Sequence, residues 1–182
     1  LYDIAGNAEM RANLYQEQQD IIAQHGTDFT KEALQDMTFL EACLRETLRV
    51  HTNFTFSFRV AMRDVTFSNG KHIPAGRNCI VHTRSENRQP DVHTDAEVYM
   101  PERAIGPTGQ HLATTPGPGY ITFGMGRKIC PGRFFAVGML KVLASMLVRD
   151  YDFSTESGTR PANKTHDDGN YLPQPEPILF KK

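Results

Sequence analysis

The sequence predicts a mainly α-helical fold with one small β region, an α+β arrangement. Apolar residues at helical spacing run through Ala8–His25 and Lys31–Val50. A second long helical stretch follows Gly132. Between them, from Phe54 to Val81, the pattern changes to alternation broken by turn residues. The chain has 182 residues, enough for one ordinary domain with a sizeable core. Hydrophobic residues make up 39%, which excludes a wholly disordered or wholly membrane-embedded chain. Lys and Arg number 20 against 21 Asp and Glu, so no basic excess asks for nucleic acid or an acidic membrane surface. The three cysteines, Cys43, Cys79 and Cys130, cannot all pair and show no metal-binding spacing. A disulfide scaffold and a zinc finger are both poor readings, and a reducing compartment is the default.

In chain order, Leu1–Gly6 reads as the end of an element rather than a start, and no charged segment leads into an apolar one as in a signal peptide. Ala8–His25 is rich in helix formers, with Met10, Leu14, Ile21 and Ile22 along one side, and His25-Gly26 closes it. Thr30 offers the next N-cap, with Glu32 in the first turn. Leu34, Met37, Leu40, Cys43, Leu44 and Leu48 continue at steps of three and four, giving one or two helices between Lys31 and Val50. Phe54, Phe56, Phe58 and Val60 alternate with polar residues, as a strand does. Val65–Phe67 and Lys71–Ile73 flank Asn69-Gly70, a strong hairpin signal. Pro74-Ala75-Gly76 is a turn, and Cys79–Val81 is another short strand.

From Arg84 to Gly119 the chain is polar and rich in Pro and Gly, with short helical pieces expected around Pro90–Val92 and Ala96–Val98. Ordered coil of this length is usually functional. Arg133–Arg149 is a helix apolar nearly all round, a type that belongs deep in a large protein. Its longest apolar run, Phe134–Leu140, is too short to span a bilayer. The tail from Thr155 is turn-forming, with Ile178–Phe180 as a last strand. His51, His72, His82, His93, His111 and His166 show no ligand spacing and read as surface or loop residues.

The chemistry concentrates in Phe123–Gly132, FGMGRKICPG. Cys130 stands directly before a long helix, with Pro131 expected at its first position, where a missing N–H costs nothing. Helix N-termini carry unpaired N–H groups and partial positive charge, which favour thiolate. Gly124, Gly126 and Gly132 let backbone fold tightly and approach a large flat ligand. A lone thiolate in such a loop suits an axial ligand to haem iron. The residues alone leave two other readings open. A single cysteine is ordinarily a small buried hydrophobe, and a glycine-rich turn before a helix also cradles phosphate, although the Lys-Ser/Thr ending of a P-loop is missing.

This segment resembles the haem-binding signature of the cytochromes P-450, with Phe123, Gly126, Cys130 and Gly132 at the signature positions. The family's basic residue two before the cysteine is Lys128 here, and Arg127 stands beside it. Glu46-Thr-Leu-Arg49 resembles the family's Glu-x-x-Arg motif, and Pro101-Glu102-Arg103 its Pro-Glu-Arg-Phe segment, without the Phe. On its own, a Glu–Arg pair at i, i+3 is ordinarily a solvated helix pair. With three motifs in register, the resemblance implies that Glu46, Arg49 and Arg103 form a buried charged triad that fixes the coil around the haem. Arg59 stands where the family often has a propionate partner, and Thr52–Ser57 where it lines the substrate pocket. A strand-edge arginine and plain core aromatics explain these equally well.

The resemblance implies a partial cytochrome P-450-like fold, the C-terminal portion of a single domain covering 1–182. Helices with the Glu-x-x-Arg motif occupy 1–50, a small β region 51–83, and coil with the haem loop 84–129. The proximal helix follows at 130–150 and a β tail at 151–182. It implies haem b with Cys130 as axial thiolate and iron ligand, and Phe123, Gly124, Gly126, Lys128, Gly132 and Arg59 around it. It further implies a haem-thiolate monooxygenase that acts on an apolar substrate, similar to fungal secondary-metabolite members. Electrons would come from an NADPH-dependent flavoprotein reductase, met by Arg127, Lys128 and Arg133 unless these are ordinary solvated charges. An N-terminal anchor, absent from these residues, would place the intact protein in the endoplasmic reticulum membrane, and an upstream helix, also absent from them, would handle oxygen and protons over the haem. The 182 residues alone would be inactive. Two alternatives keep every motif: a non-catalytic haem-binding remnant, and a haem-thiolate isomerase or dehydratase.

Overall fold

The computed structural model describes residues 1–52, 56–106, 109–165 and 171–181. Three helices frame the core. The first is α2 (Ala8–His25), preceded by the single turn α1 (Tyr2–Ala5). It is capped by the Asn7 side chain, which accepts from the Met10 N–H at 2.9 Å, and it ends at Gly26 with φ 80°. A short α3 (Lys31–Asp36) follows, capped by Thr30 as its sequence predicts, and then α4 (Thr38–Val50).

Met37, at the N-cap of α4, has no oxygen with which to accept from the helix's first N–H groups. Glu17 of α2 supplies the cap instead, accepting from Phe39 N–H at 2.5 Å and Leu40 N–H at 3.0 Å. Burial pushes the Glu17 carboxyl above its ordinary range, and these backbone N–H groups pull it back only in part. Met10, Leu14 and Ile21 of α2 meet Met37, Leu40 and Cys43 in one apolar cluster.

The third helix, α6 (Arg133–Asp150), closes this cluster with Val148. Its inward line is Val137, Lys141, Ser145 and Val148, at helical spacing. The buried Lys141 ammonium is paired with Glu41 of α4 at 2.5 Å and donates to Leu34 O at 2.7 Å. The apolar character of this helix faces the other way. Phe134 and Phe135 are 62% and 73% exposed, and Met139, Leu143 and Met146 are exposed behind them. Ion pairing lets its polar side point inward, while its outer apolar side lies open, as expected of so apolar a helix in a chain too short to surround it.

The β elements are short antiparallel pairs. β1 (Phe56–Val60) pairs with β4 (Asn78–His82), with Phe58 opposite Ile80. Between them β2 (Val65–Thr66) and β3 (His72–Ile73) form the Asn-Gly hairpin, with Gly70 at φ 79°. In the coil the expected helical pieces at Pro90–Val92 and Ala96–Val98 are turns, closed by His93 N–H to Gln89 O and Val98 N–H to Asp95 O. Helix forms at α5 (Thr83–Glu86), where the His82 ring accepts from Ser85 N–H, and a 3-10 turn at Pro101–Ala104. β5 (Ile105–Gly106) and β6 (Gly109–Gln110) make a minimal pair. β7 (Asp152–Thr155) pairs with the final strand β10 (Ile178–Lys181). β8 (Asn163–Thr165) pairs with β9 (Tyr171–Pro173) within the tail.

One polar cluster ties both ends of the chain together. Asp3 of α1 accepts from the His51 ring at 2.9 Å, Arg160 Nε at 2.6 Å and the Thr47 hydroxyl at 3.0 Å. His51 is thus an internal strut at the end of α4, not the surface or loop residue its spacing suggested. His93 is likewise engaged, with Nε2 donating to Gly119 O at 2.9 Å. No helix among the described residues is long and apolar enough to cross a membrane.

Candidate functional site

Helix α4 is the scaffold of the site. Glu46 and Arg49, three residues apart, lie on its buried face. Arg49 grips Glu46 in a fork, Nε to Oε2 and Nη2 to Oε1, both at 2.8 Å. Its remaining N–H groups reach the carbonyls of Asn87, Ala96 and Val98. Arg103 adds Nε to Glu46 Oε1 at 3.0 Å and donates to the carbonyls of Thr94, Asp95 and Val98. Met100 N–H completes the carboxylate at 2.9 Å. The structure thus brings Glu46, Arg49 and Arg103 together. Two arginines from distant segments pin the coil through its carbonyls, since coil backbone has no ladder of its own to bond.

Asn87, which the sequence does not single out, extends this clamp. It is fully buried, accepts from Ile121 N–H and donates to the Thr122 hydroxyl, which in turn donates to Leu48 O. The triad is thereby connected to the residues that enter the cysteine loop. A lone Asn in a polar stretch carries no sequence signal of such a role.

The loop closes on itself. Cys130 N–H donates to Phe123 O at 2.8 Å, and Ile129 N–H to Gly126 O at 3.2 Å. Gly124 and Gly126 hold φ 81° and 69°, the left-handed region that side chains avoid. Gly126–Lys128 forms a 3-10 turn. Helix α6 starts at Arg133. Its first intrahelical acceptor is Gly132 O, so Gly132 is the N-cap and Pro131 lies in the turn before it, not at the first helical position. No side chain caps this end. Cys130 is exposed there, and a Cβ built on Gly132 would stand 4.0 Å from its sulfur.

Arg133 is not a solvated charge. It is half-buried, donating from Nε to Thr114 O and from Nη1 to Cys130 O, both at 3.0 Å. Arg127 and Lys128 are exposed beside it. Arg59 lies on β1, remote in sequence from the loop, and donates to Phe58 O at 2.8 Å. Of the stretch Thr52–Ser57, residues 53–55 lie outside the described residues, as does His166. The other two cysteines are free as well. Burial pushes the Cys43 thiol up to about 12, which leaves it protonated and inert.

These residues fit a haem. The donor is a single exposed sulfur, its peptide N–H and C=O are both engaged, and no Cβ from the flanking glycines crowds it. Among the described residues no group of three His, Cys, Asp or Glu gathers as a bare metal ion would require.

The sequence profile described as Cytochrome P-450 matches residues 1–181. The chain belongs to the cytochrome P-450 family. Cytochrome P-450 monooxygenase idtP of Claviceps paspali is 30% identical to this P-450 chain over 191 residues, covering 100% of it and 38% of that protein. Cytochrome P-450 monooxygenase 151 of Postia placenta is 35% identical over 171 residues, covering 90% and 34%. Among solved structures, the retinoic acid-bound cyanobacterial CYP120A1 superposes with TM-score 0.79 at 25% identity, over 98% of this chain and 40% of that one. The chain spans well under half the length of these relatives, and its fold is a partial P-450 fold. Membership supports haem-thiolate monooxygenase chemistry in general.

Proposed function

We propose that this chain forms the proximal, haem-holding part of a monooxygenase that inserts one atom of O2 into an apolar secondary-metabolite substrate. The observation that carries the reading is Cys130: an exposed thiol at an uncapped helix start, its backbone fixed on both sides, inside the family signature. Its sulfur would bind the iron of haem b. The backbone of Phe123, Gly124, Gly126 and Gly132 would lie against the ring, and Lys128 and Arg59 would pair with its propionates. When bound, haem b supplies the oxygen-activating chemistry, with the thiolate favouring O–O cleavage. Glu46, Arg49 and Arg103 would keep the coil, and through Asn87 the cysteine loop, in one arrangement.

Fungal monooxygenase relatives support the monooxygenase reading. The exposed Arg127 and Lys128 offer an acidic flavoprotein reductase a cationic face, and that NADPH-dependent partner would supply electrons. The intact protein would sit at the endoplasmic reticulum membrane. The 182 residues by themselves would not turn over substrate, since they span well under half the length of the monooxygenases they match and a reacting centre must be closed off from water.

The test is the spectrum of the ferrous carbon-monoxide complex after haem loading. A strongly red-shifted Soret band is expected, lost in Cys130→Ser and kept in Cys79→Ser. An unshifted band in the natural sequence, or a shifted band surviving Cys130→Ser, overturns the assignment. Substrate turnover by the 182-residue chain with haem and reductase would overturn the claim of inactivity.

A further inference from the structure

The turn Leu112–Thr115, closed by Thr115 N–H to Leu112 O at 3.0 Å, is held through its backbone from three elements. From α4, Glu41 accepts from Ala113 N–H at 2.6 Å, and Arg45 donates to Leu112 O at 2.5 Å and Thr115 O at 3.0 Å. Tyr120 donates its hydroxyl to Ala113 O at 2.8 Å and lies flat under the Arg45 guanidinium, 3.7 Å from it. From the start of α6, Arg133 donates to Thr114 O. That same guanidinium donates to Cys130 O. The turn has no sheet or helix of its own, so its position is set by these partners.

We infer that Arg133 is a positioning residue for Cys130, and that the buried Glu41–Lys141 pair is its anchor. The inference rests on the reading of Cys130 as the thiolate ligand. A forked donor bonds two carbonyls in a fixed geometry, as a planar guanidinium does and an ammonium does not. One of those carbonyls belongs to the cysteine and the other to a turn locked onto α4. The carboxylate that locks it is itself neutralised by Lys141 from the helix that follows the cysteine. The loop bearing the sulfur is therefore braced against the helix carrying the triad by a path that avoids the triad. Arg133 thereby has a role distinct from partner binding, and Glu41 and Lys141 gain one beyond filling the core.

The test is a double-mutant cycle on the haem-free full chain, read by amide hydrogen exchange. One arm is Arg133→Ala. The other replaces both buried ions, Glu41→Leu with Lys141→Met, so that no charge is left stranded and the fold survives. Loss of a charged hydrogen bond at Cys130 O should speed exchange of the Cys130 amide about fivefold or more in Arg133→Ala. The ion-pair replacement should speed it less, and adding that replacement to Arg133→Ala should speed it no further, because the path is already cut. The Ile21 amide of α2 should stay unchanged throughout. Unchanged exchange at Cys130 in Arg133→Ala, full multiplication of the two effects, or a parallel rise at Ile21 would overturn the inference. After haem loading, Arg133→Ala should lower the fraction of the carbon-monoxide complex with the thiolate band, and an unchanged fraction also overturns it. Survival of that band in Cys130→Ser overturns the ligand assignment instead, so the two failures are distinguishable.

Discussion

Replacing Glu46 by Ala should be among the most damaging single changes in this chain. The carboxylate is 3% exposed and accepts four hydrogen bonds, three of them from guanidinium groups. Arg49, 2% exposed, would keep its charge and lose both forked bonds. Breaking a buried ion pair by removing one partner costs about 3–5 kcal/mol, because an uncompensated charge stays behind. That is a large fraction of the total of roughly 5–15 kcal/mol typical of a folded domain. The stranded charge, not the lost bonds as such, is the reason, and this can be separated experimentally. The double variant Glu46→Leu with Arg49→Met removes the Arg49 charge as well, although it leaves Arg103 without its carboxylate and the carbonyls of Asn87 and Ala96 without the Arg49 donor. It should be no less stable than Glu46→Ala, with a coupling of about 2–3 kcal/mol between the two sites. The assay is urea unfolding followed by circular dichroism, with midpoints compared at constant slope. A Glu46→Ala loss under about 1 kcal/mol, within the reach of an ordinary exposed ion pair, would refute the reasoning. So would a double variant that loses the plain sum of the two singles.

Glu17→Ala should cost about 1–2 kcal/mol by uncapping α4, as loss of an ordinary N-cap does, measured by the same unfolding curves; a change within about half a kcal/mol would show the cap to be idle. Asp3 carries a pH dependence. Burial alone would raise its pKa, but the His51 ring, the Arg160 guanidinium and the Thr47 hydroxyl hold the carboxyl below its ordinary range. A carboxyl depressed in the folded state contributes stability that is fully present above the ordinary aspartate pKa. That stability is lost as pH falls through the folded value, from about pH 4 downward. The natural chain should therefore exceed Asp3→Asn clearly at neutral pH and approach it in acid; a stability gap independent of pH would count against the pairing. Gly6→Ala should cost about 1–3 kcal/mol through overpacking, because a Cβ there would stand 2.2 Å from Arg160 N, a backbone atom that cannot swing aside. Unchanged unfolding in this variant would show that the tail does not seat against α1.

Much of this protein was legible locally. Helix α2, the Thr30 cap and the Asn-Gly hairpin follow from side-chain periodicity, side-chain oxygens at helix starts and the left-handed freedom of Gly70, each set by a few neighbouring residues. The order of Glu46, Arg49, Arg103 and Cys130 was likewise visible as motif and spacing. What stayed hidden depended on partners distant in the chain. Met37 at the start of α4 promised no cap, because the oxygen that caps it belongs to Glu17 on another helix. His51 looked like a loop residue until Asp3 and Arg160 met it from both ends of the chain. Arg133 was indistinguishable from a solvated charge until Thr114 and Cys130 turned their carbonyls toward it. For α6, an all-round apolar pattern could not say which side faces the core. Glu41, a hundred residues upstream in the sequence, made it possible to bury Lys141 and turn the phenylalanines outward, because a charge enters a low-dielectric interior only where its counter-charge is already in place.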